Sequence, residues 1–473
     1  MRFCVFPTSF WADQDPSKTA IVWNKSTNEQ ARSACFYEQL PQEISWQLFD
    51  QLIAKFIQNL TALGIQPQQL IAYSGQHSLI NLLCYCAVLK MGARILMLNP
   101  QLSESQRRQI LEQNQVEIFI TDHHFFNLSE RDSSYSFPFD IQAPATFTLT
   151  SGSSGKPKAV VHSIQQHLAS ADGVCELMDF QHQHSWLLSL PLFHVSGQGI
   201  VWRWLSQGAT LYIDENKATI WETLSKVSHA SLVPTQLQRY LAWLGGRTKD
   251  QKILLGGANI PAKLIEQSQK LGITTFASYG LTEMGSTVTA IKNECHDEYR
   301  SVGKALQGRE VCTVENEIWV KGKPLALGYW LNGEIISLTN KSGWFATKDC
   351  GYWENGNLVV TGRLDNMFIS GGENIQPEEI ERVLFQSNLV QNVVIVPIKD
   401  DEFGERPVAL VEFKQDFCEQ AVQFLQQFAK NQLEKFKQPV AYLSLETDKF
   451  QSGIKLSRQV LKDYVSKNVD LKG

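Results

Sequence analysis

A strand-forming segment that runs into a loop of serines, glycines and lysines constrains the fold of this chain most. Phe147 to Thr150 are apolar or β-prone, and the loop follows as Ser151, Gly152, Ser153, Ser154, Gly155, Lys156, Pro157 and Lys158. Glycines let successive backbone N–H groups turn toward one anion, while hydroxyls and lysines add donors and positive charge. The spacing differs from the GxxxxGK[ST] loop. The segment therefore predicts a phosphate-holding loop after a strand, with a solvated hairpin loop as the alternative.

Strands and helices alternate on either side of this loop. Trp46 to Leu63 carry apolar residues at helical spacing, with Ser45 as N-cap and Gly64 after the end, and Leu79 to Lys90 predict a second helix. Short apolar runs at 70–73 and 94–98 predict buried strands between and after these helices, and runs at 187–192 and 274–277 predict further strands. A helix is expected around 418–436, and residues 1–40 are too weakly patterned to predict any element. Such alternation predicts parallel sheets, whose ligands lie at the carboxyl ends of the strands. A nucleotide is therefore expected beside the loop.

Length, charge and cysteine content predict a multidomain cytoplasmic protein that neither binds nucleic acid nor spans a membrane. A chain of 473 residues is long enough for two or three domains, and its net charge of −5 argues against a nucleic-acid surface. The nine cysteines are odd in number and lack zinc-ligand spacing, which predicts reduced thiols in a cytoplasmic protein. We expect no membrane span, because the most apolar stretch, 79–98, carries Asn81, Lys90 and Arg94. The start lacks the pattern of a signal peptide, and the oligomeric state, including a homo-oligomer, stays open.

Seven ordered segments between residues 146 and 458 resemble the adenylate-forming superfamily of acyl-CoA synthetases, adenylation domains and luciferases. They are the loop after Thr150, LPLFH at 190–194, GGA at 256–258, YGLTE at 279–283, the segment containing Asp349, GRLDNMFISGGENIQPEEIE at 362–381, and GIKLSR at 453–458. The resemblance implies ATP, Mg²⁺ and coenzyme A, with a small carboxylic acid activated as its adenylate. On this resemblance we expect an ATP-dependent, AMP-forming acid–CoA ligase, with an enzyme that loads a carrier protein and a luciferase-type oxidation as the alternatives. A scaffold without chemistry is disfavoured because Glu283, Asp349, Arg363 and Lys455 are all present.

The same resemblance implies where the nucleotide binds. Glycines at 256 and 257 would let adenine approach the backbone, Tyr279 would stack on it, and Asp349 would accept both ribose hydroxyls, with Lys348 where relatives often have glycine. The implied cofactor-binding residues are Thr150, Ser151, Gly152, Ser153, Ser154, Gly155, Lys156, Lys158, Gly256, Gly257, Ala258, Ser278, Tyr279, Gly280, Thr282, Asp349, Arg363, Gly371 and Gly372.

Four residues are implied to act in catalysis: Thr150, His194, Glu283 and Lys455. Glu283 would be the metal ligand, since Mg²⁺ that bridges phosphates often takes one carboxylate from the protein. Lys455 would neutralise charge that develops at the α-phosphate. Without the resemblance, a solvated glutamate and a solvated lysine would be the simpler interpretations.

Three residues are candidates for binding the acyl substrate: His194, Arg203 and Ser231. The resemblance implies that His194 gates the acyl pocket, although a lone histidine is more often a structural residue. Arg203 lies between Trp202 and Trp204 in a predicted helix, and a cation flanked by apolar rings is unusual for a surface residue. A cation–π contact or a snorkelling side chain is the alternative for Arg203.

The predicted fold class is α/β, with a large N-terminal domain of parallel-type αβ sheets at 1–364 and a small α+β C-terminal domain at 366–473. A β-rich subdomain is expected at about 300–364, where predicted strands at 317–321 and 358–361 alternate with turn residues. The resemblance implies that Asp365 is a hinge about which the C-terminal domain rotates between two half-reactions. After rotation, the loop from Ser370 to Glu373 would replace Lys455 beside the substrate.

Overall fold

The computed structural model describes residues 3–25, 40–125, 137–150, 157–257, 260–294, 300–400, 402–446 and 458–468, together with the backbone alone of 451–452 and 455–456. Contacts between residues divide the chain into two compact units. The first comprises Met1–Val311, Val320–Phe345 and Asn355–Leu358, and the second Cys312–Trp319, Ala346–Glu354 and Val359–Gly473. Asp365 lies within the second unit, and its role as a hinge stays a prediction.

The α-helices of the described residues are α1 (Pro7–Gln14), α2 (Trp46–Ala62), α3 (Ser78–Lys90), α4 (Glu104–Gln113), α5 (Ile164–Met178), α6 (Val195–Gln207), α7 (Ile220–Leu224), α8 (Pro234–Leu244), α9 (Ala262–Lys270), α10 (Pro377–Phe385), α11 (Glu419–Gln432) and α12 (Arg458–Asn468). The strands of the first half are β1 (Thr19–Asn24), β2 (Glu43–Ser45), β3 (Leu70–Ser74), β4 (Arg94–Met97), β5 (Ile118–Thr121), β6 (Pro144–Thr150), β7 (Lys158–Ser163), β8 (Ser185–Leu187), β9 (Thr210–Asp214), β10 (His229–Leu232), β11 (Gln251–Leu255), β12 (Ile273–Leu281) and β13 (Ser286–Lys292).

The remaining strands are β14 (Lys304–Ala305), β15 (Arg309–Val314), β16 (Glu317–Gly322), β17 (Gly328–Leu331), β18 (Glu334–Ile336), β19 (Phe345–Glu354), β20 (Asn357–Arg363), β21 (Phe368–Ser370), β22 (Glu373–Ile375), β23 (Val390–Asp400), β24 (Gly404–Phe413), β25 (Ala441–Ser444), β26 (Gln451–Ser452) and β27 (Lys455–Leu456). No helix in the described part of the chain is long and apolar enough to cross a membrane. The α/β class predicted from the sequence is confirmed.

Two large sheets form the first unit. One has nine strands in the order β14-β13-β12-β11-β10-β8-β9-β1-β2, and its central strands β9, β8, β10, β11 and β12 pair in parallel. The other has seven strands in the order β18-β17-β7-β6-β4-β3-β5, and β6, β4, β3 and β5 pair in parallel. Antiparallel pairs extend both sheets at one edge: β12 with β13, and β6 with β7 and then β17.

Helices cover these sheets with apolar faces that the sequence pattern anticipates. In α2, the residues from Trp46 to Leu60 that repeat at helical spacing are buried, and the Ser45 hydroxyl accepts the N–H of Leu48 as the N-cap. Gly64 follows the helix end with φ +84°, a left-handed conformation that suits glycine. Each such buried aromatic or aliphatic side chain contributes about 1.5–3 kcal/mol through burial, so packing holds this helix in place.

The second unit contains a five-stranded sheet with the order β22-β21-β24-β23, in which β25 pairs in parallel with β24. Helix α10 begins with Pro377 and two glutamates in its first turn, as predicted, and its buried side chains join a core that includes Ile380, Leu384, Ile395 and Leu425. A four-stranded sheet elsewhere has the order β15-β16-β19-β20, and β26 pairs with β27.

Some predicted boundaries are wrong. The strand expected over 187–192 is found at Ser185–Leu187, because the chain turns directly after it, where the N–H of Ser189 donates to the Leu187 carbonyl at 2.9 Å. The strand expected over 274–277 continues to Leu281, since β13 pairs with it as far as Ser286. The helix expected to reach Phe436 ends at Gln432. Helix α1 and strand β1 lie in a stretch for which the sequence pattern was too weak to predict any element.

Candidate active site

The two ends of the predicted phosphate loop are the last residue of β6 and the first of β7. Thr150 and Lys158 are opposite each other in an antiparallel pair, so the intervening segment connects a hairpin. Six of the implied loop residues lie outside the described residues: Ser151, Gly152, Ser153, Ser154, Gly155 and Lys156. The Lys158 ammonium lies 5.2 Å from the centroid of the Tyr329 ring, which places one loop cation against β17.

Glu283 lies in a short 3-10 helix, Thr282–Met284, directly after β12. Gly285 closes this turn with φ +61°, and its N–H donates to the Thr282 carbonyl at 3.0 Å. The Glu283 carbonyl accepts the N–H of Ala326 at 2.8 Å, and one carboxylate oxygen, Oε1, accepts the Tyr329 hydroxyl at 2.7 Å. The carboxylate is therefore fixed in orientation and not merely exposed at a strand end.

This arrangement is compatible with one Mg²⁺ bound jointly with phosphates. Magnesium prefers oxygen ligands and commonly takes one or two carboxylates plus phosphate oxygens. The second oxygen, Oε2, accepts no hydrogen bond from any described residue, so its lone pairs are not used by those residues and could bind a cation. Among the described residues, no cluster of three or more His, Cys, Asp or Glu could hold a metal without such help.

The implied adenine residues lie at the ends of the neighbouring strands β11 and β12. Gly257 has φ +82°, and a Cβ on Gly256 would lie 3.0 Å from the Ser278 hydroxyl, which itself donates to the Leu255 carbonyl at 2.8 Å. Ala258 lies outside the described residues. These glycines therefore leave space where two strand ends come close together.

Gly280 and Tyr279 belong to β12 and not to a loop. A Cβ on Gly280 would lie 2.1 Å from the Ser286 carbonyl oxygen, so the close approach of β13 alone requires glycine here. The strand register shifts between these two residues, and Tyr279 is 9% exposed. The structure thus gives Gly280 a packing reason that is independent of any nucleotide.

The second unit brings Asp349, Arg363 and Asp365 together. The Arg363 guanidinium donates to both oxygens of Asp365, at 2.8 and 3.1 Å, and its Nη1 lies 3.3 Å from Asp349 Oδ1. Partial burial raises the pKa of Asp365, but the hydrogen bonds and charge of Arg363 outweigh it and hold the pKa below its ordinary value. The implied ribose ligand, the implied phosphate ligand and the predicted hinge therefore form one charged cluster.

Lys348 takes a backbone conformation that suits the glycine that the family resemblance implies at this position. Its φ is +64°, in the left-handed region that costs an L-residue about 1–2 kcal/mol. The Lys348 N–H donates to Glu317 Oε1 at 2.9 Å, and the N–H of Asp349 donates to the Thr347 hydroxyl at 3.0 Å. These bonds hold the strained turn and with it the Asp349 carboxylate.

Arg203 is buried in α6, and its described hydrogen-bond partners are two hydroxyls. Its side chain is 2% exposed, Nη1 donates to the Ser231 hydroxyl at 3.1 Å and Nη2 to the Ser286 hydroxyl at 3.3 Å. The guanidinium lies over the Trp186 ring at 5.1 Å, and its Nε has no hydrogen-bond partner among the residues that the structure describes. No aspartate or glutamate of the described ranges forms an ion pair with it, and burial lowers the pKa of Arg203 to about 10.

Ser286 reaches Arg203 from a strained backbone. Its φ is +129°, a region that residues other than glycine rarely occupy and that costs about 1–3 kcal/mol. A Cβ on Gly199 would lie 3.2 Å from both Ser286 and the Arg203 guanidinium, so the absence of a side chain at 199 lets these two groups pack closely against α6. Strain and an uncompensated charge at one place are typical of a binding site.

His194 is the N-cap residue of α6, and its ring lies 4.6 Å from that of Phe193. The buried side chain of Gln198, one turn further along, donates to the Leu192 carbonyl at 3.0 Å and to the Thr148 hydroxyl at 3.1 Å. Gln198 therefore fixes the turn before His194 to β6, the strand that leads into the predicted phosphate loop.

The remaining predicted residues belong to the second unit. Gly371 and Gly372 have φ of +61° and +86° and form a two-residue hairpin loop between β21 and β22, which favours glycine at both positions. The backbone of Lys455 pairs with Ser452 in a short hairpin, and its side chain lies outside the described part of the chain.

Sequence reasoning missed three contributors to this site: Tyr329, Ser286 as the second partner of Arg203, and Trp186. Tyr329 and Trp186 each lie in short strands whose residues look like ordinary core positions. Only the pairing of distant strands brings them to Glu283 and Arg203, and a single sequence carries no signal of that pairing.

Known protein families, relatives and solved structures match this chain along most of its length. The family model described as AMP-binding enzyme matches residues 9–136 and 128–330, and the model of the AMP-binding enzyme C-terminal domain matches residues 379–467. A Haemophilus influenzae protein named 2-succinylbenzoate–CoA ligase is 46% identical over 432 residues, 90% of this chain and 94% of that protein.

Two solved structures are similar along nearly the whole chain. A variant of Escherichia coli MenE with bound OSB-AMS has a TM-score of 0.86 and 36% identity, and the match covers 99% of this chain and 100% of that one. A Bacillus subtilis o-succinylbenzoate coenzyme A synthetase in complex with ATP and magnesium ion has a TM-score of 0.84 at 24% identity, covering 97% and 99% of the two chains, which supports the fold alone.

Proposed function

Because this chain belongs to the AMP-binding enzymes, we propose that it ligates coenzyme A to o-succinylbenzoate, with conversion of ATP to AMP and pyrophosphate, in menaquinone biosynthesis. The single observation that carries the choice of acid is the buried Arg203 guanidinium, which among the described residues donates to two hydroxyls and forms no ion pair with a carboxylate. The 46% identity to a protein named 2-succinylbenzoate–CoA ligase supports the same choice. A cytoplasmic location stays a prediction.

The reaction has two steps. In the first, an oxygen of the succinyl carboxylate attacks the α-phosphorus of ATP, an O–P bond forms, and the bond to the β-phosphate oxygen breaks to release pyrophosphate. In the second, the CoA thiol sulfur attacks the acyl carbon, loses its proton to solvent, and displaces AMP. Neither step requires a protein nucleophile, so the side chains act by positioning and by stabilising charge.

The ring carboxylate of o-succinylbenzoate is not activated, and it needs a cation when it is buried. Burying an unpaired carboxylate costs several kcal/mol, whereas a carboxylate beside Arg203 would pair with a charge that is already buried. Ser231 and Ser286 hold the guanidinium in place. We assign Arg203 and Ser231 to this carboxylate, and His194 at the start of α6 to the wall of the acyl pocket.

The remaining assignments follow the superfamily. Thr150 to Lys158 would hold the leaving pyrophosphate, residues 256–258 and 278–280 the adenine, and Thr282 a phosphate, while Asp349 and Arg363 would bind ribose and phosphate. Glu283 would hold Mg²⁺, which supplies charge neutralisation across the phosphates when it is bound. Lys455 would act on the α-phosphate in the first step, and Gly371 and Gly372 would give pantetheine room in the second.

A substrate panel tests this function. Pyrophosphate release is measured with o-succinylbenzoate, with 4-oxo-4-phenylbutanoate, which lacks only the ring carboxylate, and with benzoate. We expect the KM to rise by about 10²–10³-fold when the ring carboxylate is missing, the loss of a buried ion pair. If the first two acids are used equally well, o-succinylbenzoate is not the specific substrate. If acyl transfer requires a carrier protein and does not occur with free CoA, coenzyme A is not the acceptor.

A further inference from the structure

Tyr329 connects the predicted phosphate loop to the predicted metal ligand. It lies in β17, which pairs with β7, the strand that begins at Lys158 where the loop ends. One face of its ring meets the Lys158 ammonium at 5.2 Å, and its hydroxyl donates to Glu283 Oε1 at 2.7 Å. One side chain thus contacts a cation from the loop and the carboxylate at the end of β12.

The segment that contains Tyr329 holds Glu283 at two points. The N–H of Ala326 donates to the Glu283 carbonyl at 2.8 Å, three residues before Tyr329 donates to the carboxylate. The same segment is fixed to β7, because the N–H of Leu327 donates to the Val161 carbonyl at 2.9 Å. The backbone and the side chain of Glu283 are therefore both positioned by the β7–β17 pair.

The hydroxyl decides which oxygen of Glu283 a cation can use. A free carboxylate rotates and offers two equivalent oxygens, but a hydroxyl on Oε1 fixes the plane and leaves Oε2 with its full charge and lone pairs. Groups that hydrogen-bond to a metal ligand typically change metal affinity or activity by about 10–100-fold when they are removed.

We propose that Tyr329 is a positioning residue for Glu283: its hydroxyl orients the carboxylate so that Oε2 meets a divalent cation carried by the ATP phosphates. This inference rests on the proposed function, in which Glu283 is the metal ligand. The ring has a second task, since it keeps the Lys158 ammonium beside the phosphates by a cation–π contact. Removal of the hydroxyl alone should separate the two tasks.

The test uses Tyr329→Phe, which keeps the ring and its contact with Lys158 and deletes the donor to Glu283. Mn²⁺ binding is titrated by electron paramagnetic resonance of free Mn²⁺ in the presence of a non-hydrolysable ATP analogue. The Mg²⁺ concentration for half-maximal pyrophosphate exchange is measured separately. We expect both constants to rise about 10–100-fold, while the unfolding midpoint without metal changes little.

Tyr352→Phe is the matched control, because it deletes the same hydroxyl from a side chain that is 42% exposed and that no hydrogen bond joins to Glu283 among the described residues. Glu283→Gln and the double variant that combines Glu283→Gln with Tyr329→Phe complete a double-mutant cycle, which measures the coupling between the two side chains. If Tyr329 acts through Glu283, its substitution should have no further effect on Mn²⁺ affinity once the carboxylate is gone.

The outcomes are distinct. Additive effects in the double variant, or unchanged Mn²⁺ affinity in Tyr329→Phe beside weakened binding in Glu283→Gln, overturn the positioning role and leave the proposed function standing. Unchanged Mn²⁺ affinity in Glu283→Gln overturns the metal role itself. If Tyr329→Phe lowers stability, the Mn²⁺ titration at a temperature well below its unfolding midpoint still decides between these outcomes.

Discussion

Replacement of Arg203 by methionine should separate substrate recognition from folding. Methionine has an unbranched side chain of similar length and carries no charge, so it fills much of the same space. At pH 7 the guanidinium is protonated in both the folded and the unfolded chain, because the pH lies below both pKa values. The whole cost of its burial is then present in the folded apoprotein.

The magnitude follows from the contacts. A fall in the pKa of Arg203 from 12.5 to about 10 on burial corresponds to roughly 3 kcal/mol of unfavourable free energy. Methionine removes that cost but loses hydrogen bonds to Ser231 and Ser286, about 1 kcal/mol each, and a cation–π contact worth about 1–2 kcal/mol. The free energy of unfolding should therefore stay within about 1 kcal/mol of the wild-type value, as for other buried charges replaced by apolar residues.

Substrate binding should respond very differently. The ring carboxylate of o-succinylbenzoate would lose its buried partner, and the KM for this acid should rise about 10²–10³-fold, while the KM for ATP hardly changes. Urea unfolding of the apoprotein and steady-state pyrophosphate release measure the two quantities on the same preparation.

Arg309→Met provides the contrast. Arg309 is also buried, with its pKa lowered to about 10 by burial, but it donates to the backbone carbonyls of Ser170 and Gln307 at 2.8 Å each. Its removal leaves two carbonyls without those donors, so we expect lower stability and an unchanged KM for the acid. A large loss of stability in Arg203→Met together with an unchanged KM would show that Arg203 is structural.

Three further predictions concern catalysis, domain rotation and pH. Lys455→Ala should nearly abolish adenylate formation and leave CoA transfer from supplied adenylate largely intact, as separate assays of the half-reactions would measure; equal losses would reject the assignment. Asp365→Pro, which holds φ near about −65°, should keep pyrophosphate exchange and lose CoA transfer, whereas Asp365→Ala, which frees Arg363 without restricting φ, should keep both; two intact rates in the proline variant would place the hinge elsewhere. Burial lowers the pKa of His162 to about 4, below its ordinary value of 6.5, so its contribution is complete above pH 6.5 and is lost as the pH falls toward 4. That loss is about 2 kcal/mol at pH 5, and urea unfolding at pH 7 and 5 should show a smaller difference in His162→Gln than in the wild type; an equal difference would exclude His162 as the cause.

The elements that the sequence predicted best are those whose own residues determine them. Helix α2 shows its apolar spacing, its serine cap and its terminal glycine within twenty residues, and the structure has all three. The superfamily resemblance drawn from seven short motifs is confirmed by family models that match most of the chain. Both successes depend on local signals.

The failures concern residues whose state depends on distant strands. Ser278 to Leu281 were expected in a loop after a strand, but β13 adds hydrogen bonds that extend the strand to Leu281. The glycine at 280 was attributed to nucleotide binding, and the proximity of the Ser286 carbonyl gives it a packing role. At Lys348, in contrast, the structure agrees with the resemblance. The left-handed φ of this residue is a backbone reason for the glycine that the resemblance implied there.

The orientation of Glu283, the proposed metal ligand, should depend on the pairing of β7 with β17. Glu283 follows β12 of the nine-stranded sheet, whereas Lys158 and Tyr329 belong to β7 and β17 of the seven-stranded sheet. The hydrogen bonds from Ala326 and Tyr329 are therefore contacts between the two sheets, made at the end of the strand where ligands bind in α/β proteins. Any shift of β17 against β7 would move Tyr329 away from Glu283 and Lys158 together. The strand β17 thus joins Lys158, which is proposed to contact phosphate, to Glu283, which is proposed to bind the metal, and a substitution that loosens β17 should weaken both proposed interactions.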